Sequence, residues 1–299
     1  MKKIFIIFGL SLLMACENES GITTGSELTN ESNTTTVSIH VDDFLVEQGE
    51  ILPTTRATTV GDYANLKAIT LAFYKSDGTE AYKHTQFKEV ASTYTTFGEF
   101  STSLPMGSFT MVVLGYTSAD ASGEITLTSA TSAGYEDGVR ETFCSTQEVN
   151  VNTNTPINLT ATLSRIIAKV TVASTDGRTA DVHAIRTTFS GGGTTFNPTT
   201  GLNVSNTGYS KTVVTNRPVG STTSSVSALF LASDEQTMDI TIETLDEDDN
   251  VLFSKTVTDV PLKRNRATTL TGAMYTASAS AGSFQLTTTE WLTTNSVNF

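Results

Sequence analysis

The sequence predicts an all-β protein, and composition and patterning both support this prediction. Only 16% of the residues are charged, whereas Thr, Ser, Gly and Asn are abundant, a mixture that favours strands and turns over helices. Short apolar runs separated by turn residues recur along most of the chain. Residues 63–163 show no convincing helical period over any ten-residue window. We therefore expect β-sandwich architecture.

The N-terminus predicts an exported lipoprotein. Two Lys residues precede an apolar run over residues 4–13, which is too short to span a bilayer as a permanent helix. Leu13-Met14-Ala15-Cys16 has the form of a lipobox, in which the Cys thiol is acylated, as with palmitate, and becomes the first residue after cleavage. The alternative is an ordinary signal peptide with an incidental Cys. The position of Cys16 favours a signal peptide over residues 1–15 and a lipid anchor at Cys16.

Charge and cysteine content exclude two classes of protein. The net charge is -13, from 31 acidic and 18 basic residues, so nucleic acid and anionic membrane surfaces would repel the chain. With Cys16 acylated, Cys144 has no partner, and a disulfide framework is excluded. Phe143 flanks Cys144 and no His lies nearby in sequence, which favours a small buried residue over a reactive thiol.

Residues 16–56 are predicted to be a lipid-anchored propeptide with one strand. Residues 17–33 are too polar to fold and form a stalk. Val37, Ile39 and Val41 then alternate with polar residues, which is the pattern of a half-buried strand. Residues 47–59 indicate an exposed loop.

The remaining length suggests two domains. We expect an N-terminal β-sandwich domain over residues 57–160 and a C-terminal β-sandwich domain over residues 161–299, because a new set of strands starts near Ala161. In the first, strands are expected at residues 66–74, 81–90, 97–104, 109–116, 142–151 and 157–163; in the second, at 163–172, 183–189, 225–232, 238–245 and 251–257, with one more after 260 and a final extended tail from 284.

The sequence gives little support for catalysis. His40, His84 and His183 lie in separate strand-like stretches, without the spacing of a metal site or a catalytic triad. Residues 246–250 offer alternating oxygens but lack the central Gly and distal Glu of a calcium loop, which favours a hairpin turn. We expect no enzyme activity, no cofactor and no metal.

Several motifs along the mature chain resemble those of one protein family. They are the lipobox ending in Cys16, Thr55-Arg56-Ala57, Leu163-Ser164-Arg165-Ile166-Ile167-Ala168-Lys169-Val170, Val260-Pro261-Leu262-Lys263-Arg264-Asn265 with Gly272, and Trp291. In this order they resemble the fimbrillin family, the lipoprotein pilins of Bacteroides- and Porphyromonas-type bacteria that include major and minor fimbrial subunits. The resemblance implies two transthyretin-like β-sandwich domains in tandem. It also implies assembly into surface fimbriae at the cell outer membrane after removal of an N-terminal strand. The chain departs from long stalk subunits in having a short segment after Trp291.

A processing hypothesis follows for the two ends of the mature chain. Cleavage between Arg56 and Ala57 would release the strand that carries Val37, Ile39 and Val41, and an extended segment of another subunit could fill the groove. The candidate donor tail contains Leu286, Trp291, Leu292, Val297 and Phe299. Alternatively, Arg56 is an ordinary loop residue and the tail is simply the last strand. The expected partners are other fimbrial subunits, the outer membrane through the lipid on Cys16, and host or bacterial surface receptors.

An alternative function is a surface glycan-binding lipoprotein of a polysaccharide uptake system. A glycan binder should display a cluster of exposed aromatic rings on one face, because sugars stack on flat apolar surfaces. A fimbrial subunit should instead show an exchangeable strand and an exposed cleavage loop. The exposure of the aromatic side chains therefore separates the two functions.

Overall fold

The computed structural model describes residues 34–45, 60–118, 123–276 and 283–290. Strands dominate these ranges, and no α-helix occurs within them. The prediction of an all-β protein is therefore confirmed. The strands are β1 (Thr34–Leu45), β2 (Ala68–Lys75), β3 (Glu80–Phe87), β4 (Glu99–Pro105), β5 (Gly107–Tyr116), β6 (Thr126–Ser129), β7 (Ser132–Gly134), β8 (Thr142–Val151), β9 (Ile157–Arg165), β10 (Ala168–Ser174), β11 (Ala184–Phe189), β12 (Thr195–Phe196), β13 (Tyr209–Val214), β14 (Ser224–Leu229), β15 (Glu235–Leu245), β16 (Val251–Lys263), β17 (Arg266–Gly272) and β18 (Gln285–Glu290).

The first sheet has seven strands and folds around a core of its own. Its strands are hydrogen-bonded in the order β3-β2-β5-β8-β9-β1-β4. Strands β8 and β9 share only the pairs Phe143–Arg165 and Cys144–Ser164, so four strands on one side of this join are separated from three on the other. Apolar side chains from both groups, including Leu71 on β2 and Leu163 on β9, pack into one cluster. This arrangement is sandwich-like.

The second half of the chain contains two four-stranded sheets that share another core. Their strand orders are β14-β10-β17-β18 and β13-β11-β15-β16. Val170 and Leu270 from the first sheet pack with Ile185 and Ile240 from the second. Buried and half-buried side chains alternate along β10, as expected for a strand with one face on a core.

A third apolar cluster joins the two halves. It contains residues from the second face of β2 and β5, which explains why β2 is buried on both faces. The small sheet β12-β7-β6 contributes Leu127, Ala133 and Phe196 to it. These short strands were not expected from the sequence, because strands of two to four residues carry too little alternation to be recognised.

The chain changes sheet at Ile166 and Ile167. The sequence predicts one continuous strand over residues 163–172, whereas β9 ends at Arg165 and β10 begins at Ala168. Both isoleucines are buried in the third cluster, and this packing separates the two strands. The change of sheet lies a few residues after the boundary predicted near Ala161, and the division into two domains stays a prediction.

Candidate functional site

Strand β1 lies inside a sheet and not at its edge. It pairs in parallel with β9 and antiparallel with β4. Val37, Ile39 and Val41 are completely buried in the first core. The strand therefore occupies a slot between two backbone partners, with the alternation that the sequence predicts. Burial of each of these three side chains contributes about 1.5–3 kcal/mol relative to exposure.

The chain enters the same core again soon after the predicted cleavage point. Arg56 and Ala57 lie outside the described residues. Val60, which follows closely in sequence, is buried in the first core with Tyr63 and Leu66. A cut between β1 and Val60 would therefore separate the strand covalently, while the chain after the cut stays attached to the sandwich.

Strand β18 is attached much more weakly than β1. It pairs antiparallel with β17 and lies at the edge of its sheet. The side chains from Gln285 to Thr289 are all exposed. Leu286 is 42% exposed although it lies opposite the buried Leu270. Backbone hydrogen bonds therefore carry much of the attachment. Of the other predicted tail residues, Trp291, Leu292, Val297 and Phe299 lie outside the described ranges, as does the predicted lipidation site Cys16.

Arg165 on β9 is ion-paired with Glu141 in a buried position and also links β9 to the second half of the chain. Arg165 donates from Nε and Nη2 to Oε1 of Glu141 at 2.9 and 2.6 Å, and from Nη1 to Oδ1 of Asn265 at 2.7 Å. The hydroxyl of Tyr63 donates to the same Glu141 oxygen at 2.7 Å, and burial beside this carboxylate raises the pKa of Tyr63 to about 12. The Arg165 side chain is 1% exposed, so the pair depends on these contacts to offset its desolvation.

A cavity of about 520 Å³ opens beside this ion pair. Two ion pairs lie on its wall, Arg264–Asp234 at 2.9 Å and Lys263–Glu235 at 2.5 Å. Cys144 also lines it and is buried as predicted. Burial raises the pKa of its thiol to about 12, which makes the nucleophilic thiolate scarce at neutral pH.

The residues considered for metal binding lie apart or serve turns. His40 pairs with Glu99, and Nε2 of His84 lies 2.7 Å from the carbonyl oxygen of Thr93. Oδ1 of Asp246 accepts the N–H of Asn250 at 2.8 Å within the hairpin turn between β15 and β16, as the sequence predicts. In the described ranges, no group of three or more His, Cys, Asp or Glu is arranged to hold a metal ion. In the same ranges, no helix has the length and hydropathy to cross a bilayer.

The exposed apolar side chains of the described residues are aliphatic. The large ones are Val90, Met106, Val204, Val214, Val219, Val226, Val251, Leu252 and Leu286. The Phe and Tyr side chains whose exposure the structure describes are buried or half-buried. The described part of the protein therefore lacks the cluster of exposed aromatic rings that a glycan-binding face would display.

Comparisons with known proteins concern the fold and the family. A model for DUF6562, a family of unknown function, matches residues 29–283. No curated protein matches the chain. A structure described as a candidate adhesin from Bacteroides thetaiotaomicron is 8% identical, with coverage of 86% of this chain and 96% of that chain and a TM-score of 0.50. The fimbrial anchor protein Mfa2 from Porphyromonas gingivalis is 12% identical, with coverage of 86% and 98% and a TM-score of 0.49. A candidate adhesin from Bacteroides ovatus is 10% identical, with coverage of 81% and 88% and a TM-score of 0.48.

At these identities the similarities bear on the fold alone. The match to the Bacteroides thetaiotaomicron structure extends over most of both chains and shows a shared fold. The resemblance to fimbrillin-type proteins that the sequence predicts is confirmed as a resemblance of fold.

Proposed function

Because the chain belongs to DUF6562, a family of unknown function, we propose its role from its own structure: a structural or adhesive subunit of surface fimbriae. The observation that carries the proposal is the position of β1, which is buried in a sheet while its covalent connection to the rest of that sheet runs through residues 46–59. The fold shared with a candidate adhesin is compatible with this role. The protein is exported as a lipoprotein, held at the outer membrane through Cys16 and joined there by other subunits.

Assembly proceeds in this proposal by exchange of β1. Cleavage after Arg56 makes β1 a separate peptide, held only by non-covalent contacts. Its departure leaves an apolar groove where Val37, Ile39 and Val41 were buried, and it leaves unpaired backbone groups on β9 and β4. An extended segment with alternating apolar side chains satisfies both needs by strand addition.

The C-terminal tail is the donor in this proposal. Strand β18 is an edge strand, and its side chains from Gln285 to Thr289 are exposed, so it leaves its own sheet at small cost in buried apolar area. In an extended segment, Trp291, Val297 and Phe299 fall on one face and supply the large apolar side chains that the groove of another subunit requires, whereas Leu292 falls on the other face.

The glycan-binding alternative has less support. It needs exposed aromatic rings on one face, whereas the large exposed apolar side chains in the described ranges are aliphatic. The aliphatic surface offers no flat ring on which a sugar would stack. A structural subunit has no such requirement.

Replacement of the cleavage-site arginine is the first test of the proposal. Arg56→Ala is expected to abolish filaments and to leave an intact, acylated N-terminus at Cys16, because β1 stays covalently attached. Arg217→Ala removes an arginine that is exposed between β13 and β14, and this variant is expected to assemble normally. Electron microscopy measures filament formation, and mass spectrometry identifies the N-terminus of the variant in the membrane fraction and of the wild-type subunit in purified filaments. Wild-type filaments should begin at Ala57; an intact Cys16 terminus in them would reject cleavage for this subunit.

A disulfide across β17 and β18 tests the donor tail separately. Thr269 is paired with Thr287, so Thr269→Cys with Thr287→Cys is expected to lock β18 onto its own sheet and to block assembly until a reductant is added. The matched control is Thr241→Cys with Thr256→Cys, a facing pair in the β15–β16 hairpin, which does not exchange. Equal filament yield from both oxidised variants would contradict tail donation.

A further inference from the structure

Asp176 holds the backbone of the segment that leads from β17 towards β18. Its Oδ1 accepts the N–H of Met274 at 2.8 Å, and its Oδ2 accepts the N–H groups of Tyr275 and Thr276 at 2.9 and 3.0 Å. Met274 is completely buried, and the hydroxyl of Tyr275 is hydrogen-bonded to that of Thr223. Hydrogen bonds from backbone amides to a carboxylate are stronger than neutral ones, so these three residues are firmly held.

Sheet topology brings Asp176 to this position. Strands β10 and β17 are parallel neighbours whose last pair is Ser174 with Gly272. The N–H of Thr175 donates to the carbonyl of Gly272 at 2.9 Å, so the residues that follow each strand lie side by side. Burial acts to raise the pKa of the Asp176 carboxyl, but the backbone donors outweigh it and hold the pKa below its ordinary value. The group is therefore charged at neutral pH.

Beyond Thr276 the attachment depends on a different contact. Phe284 is half-buried against the second core and lies over Gly272, where an added Cβ would be 2.8 Å from its Cδ1 atom. Only glycine leaves room for the ring there. After Phe284, the side chains of β18 are exposed through Thr289. The strongly held residues 274–276 thus precede a weakly held strand, β18, in the chain.

We propose that Asp176 is the positioning residue that fixes residues 274–276, the point from which the donated tail extends. These three residues are called the root. The chain up to Thr276 stays on its own subunit, and everything after Thr276, including β18, leaves as one unit. Residues 277–299 in extended form have a length on the order of 75 Å, which is enough to contact a neighbouring subunit while residues 274–276 stay fixed. This proposal rests on the tail donation proposed above.

Amide hydrogen exchange on the full chain tests, before assembly, whether residues 274–276 are held more firmly than β18. In the wild-type protein, the amides of residues 274–276 are expected to exchange at least tenfold more slowly than those at the exposed edge of β18. Asp176→Asn should raise exchange at residues 274–276 at least tenfold and leave β1 to β9 unchanged. Asp259→Asn, the same chemical change at an exposed position on β16, should alter neither region. Equally fast exchange of residues 274–276 and β18 in the wild type would overturn the proposal.

Gly272→Ala provides a second variant that keeps the carboxylate. It should displace Phe284 and speed exchange of β18, while residues 274–276 stay protected. Loss of protection in both regions would show that they move together, which contradicts a fixed root.

The same measurement on filaments separates this proposal from tail donation itself. If the tail is donated from a fixed root, residues 274–276 keep their monomer protection, while the amides of β17 that pair with β18 change theirs. Loss of protection at residues 274–276 in filaments would place the start of the moving segment before residue 274. It would reject the role of Asp176 without rejecting tail donation. Unchanged β17 amides would reject tail donation, and the root with it.

Discussion

Replacement of Arg165 by Met is expected to lower the free energy of unfolding by about 3–5 kcal/mol, because it leaves the buried carboxylate of Glu141 without its cation. Asn265 also loses the donor that links β9 to the turn before β17. Denaturation in urea, monitored by circular dichroism, measures the change. The matched control is Arg186→Met, which breaks a more exposed pair with Glu243 and should cost about 1 kcal/mol or less.

A double variant distinguishes the loss of the ion pair from the cost of burying an unpaired carboxylate. Arg165→Met combined with Glu141→Leu removes both charges and should be more stable than Arg165→Met alone, since no carboxylate is then buried without a partner. If the single variant loses no more than the Arg186 control, the ion pair contributes little and the junction depends on the third apolar cluster instead.

Ile39→Ala is expected to destabilise the uncleaved protein by about 2–5 kcal/mol, because Ile39 is completely buried and its truncation leaves a cavity. Thr36→Ala changes an exposed residue on the same strand and should stay within about 0.5 kcal/mol of the wild type. Thermal or urea denaturation of the uncleaved chain gives both values.

The same variant reports on strand release. After cleavage between Arg56 and Ala57, β1 carrying Ile39→Ala should dissociate faster than the wild-type strand, since fewer apolar contacts hold it. Once β1 has left, the variant and the wild type have the same remaining chain and should have equal stability. Equal dissociation rates for the two strands would show that Ile39 does not hold β1 in its slot.

Local patterns were sufficient to predict some elements. The positions of Val37, Ile39 and Val41 predict one strand because side chains two residues apart lie on the same face of a strand. The hairpin at residues 246–250 was predicted for a similar reason, since a polar turn between two apolar runs is a local signal. The fold class followed from many such short signals along the chain.

Arg165 carried a weaker signal. An arginine within the apolar run at residues 163–172 indicates a charge that needs a buried partner, yet nothing in the run identifies Glu141 or Asn265. Asp176 carried almost none, because Thr175-Asp176-Gly177 has the composition of an ordinary turn.

The sequence by itself determined that the protein is built of strands and which side chains of β1 face a core. Only the tertiary structure decided that β1 lies between β9 and β4, that Arg165 meets Glu141, and that Asp176 receives the amides of residues 274–276. The physical reason is range: side-chain alternation depends on neighbouring residues, whereas these contacts join residues far apart in the chain and exist only after the sheets have packed.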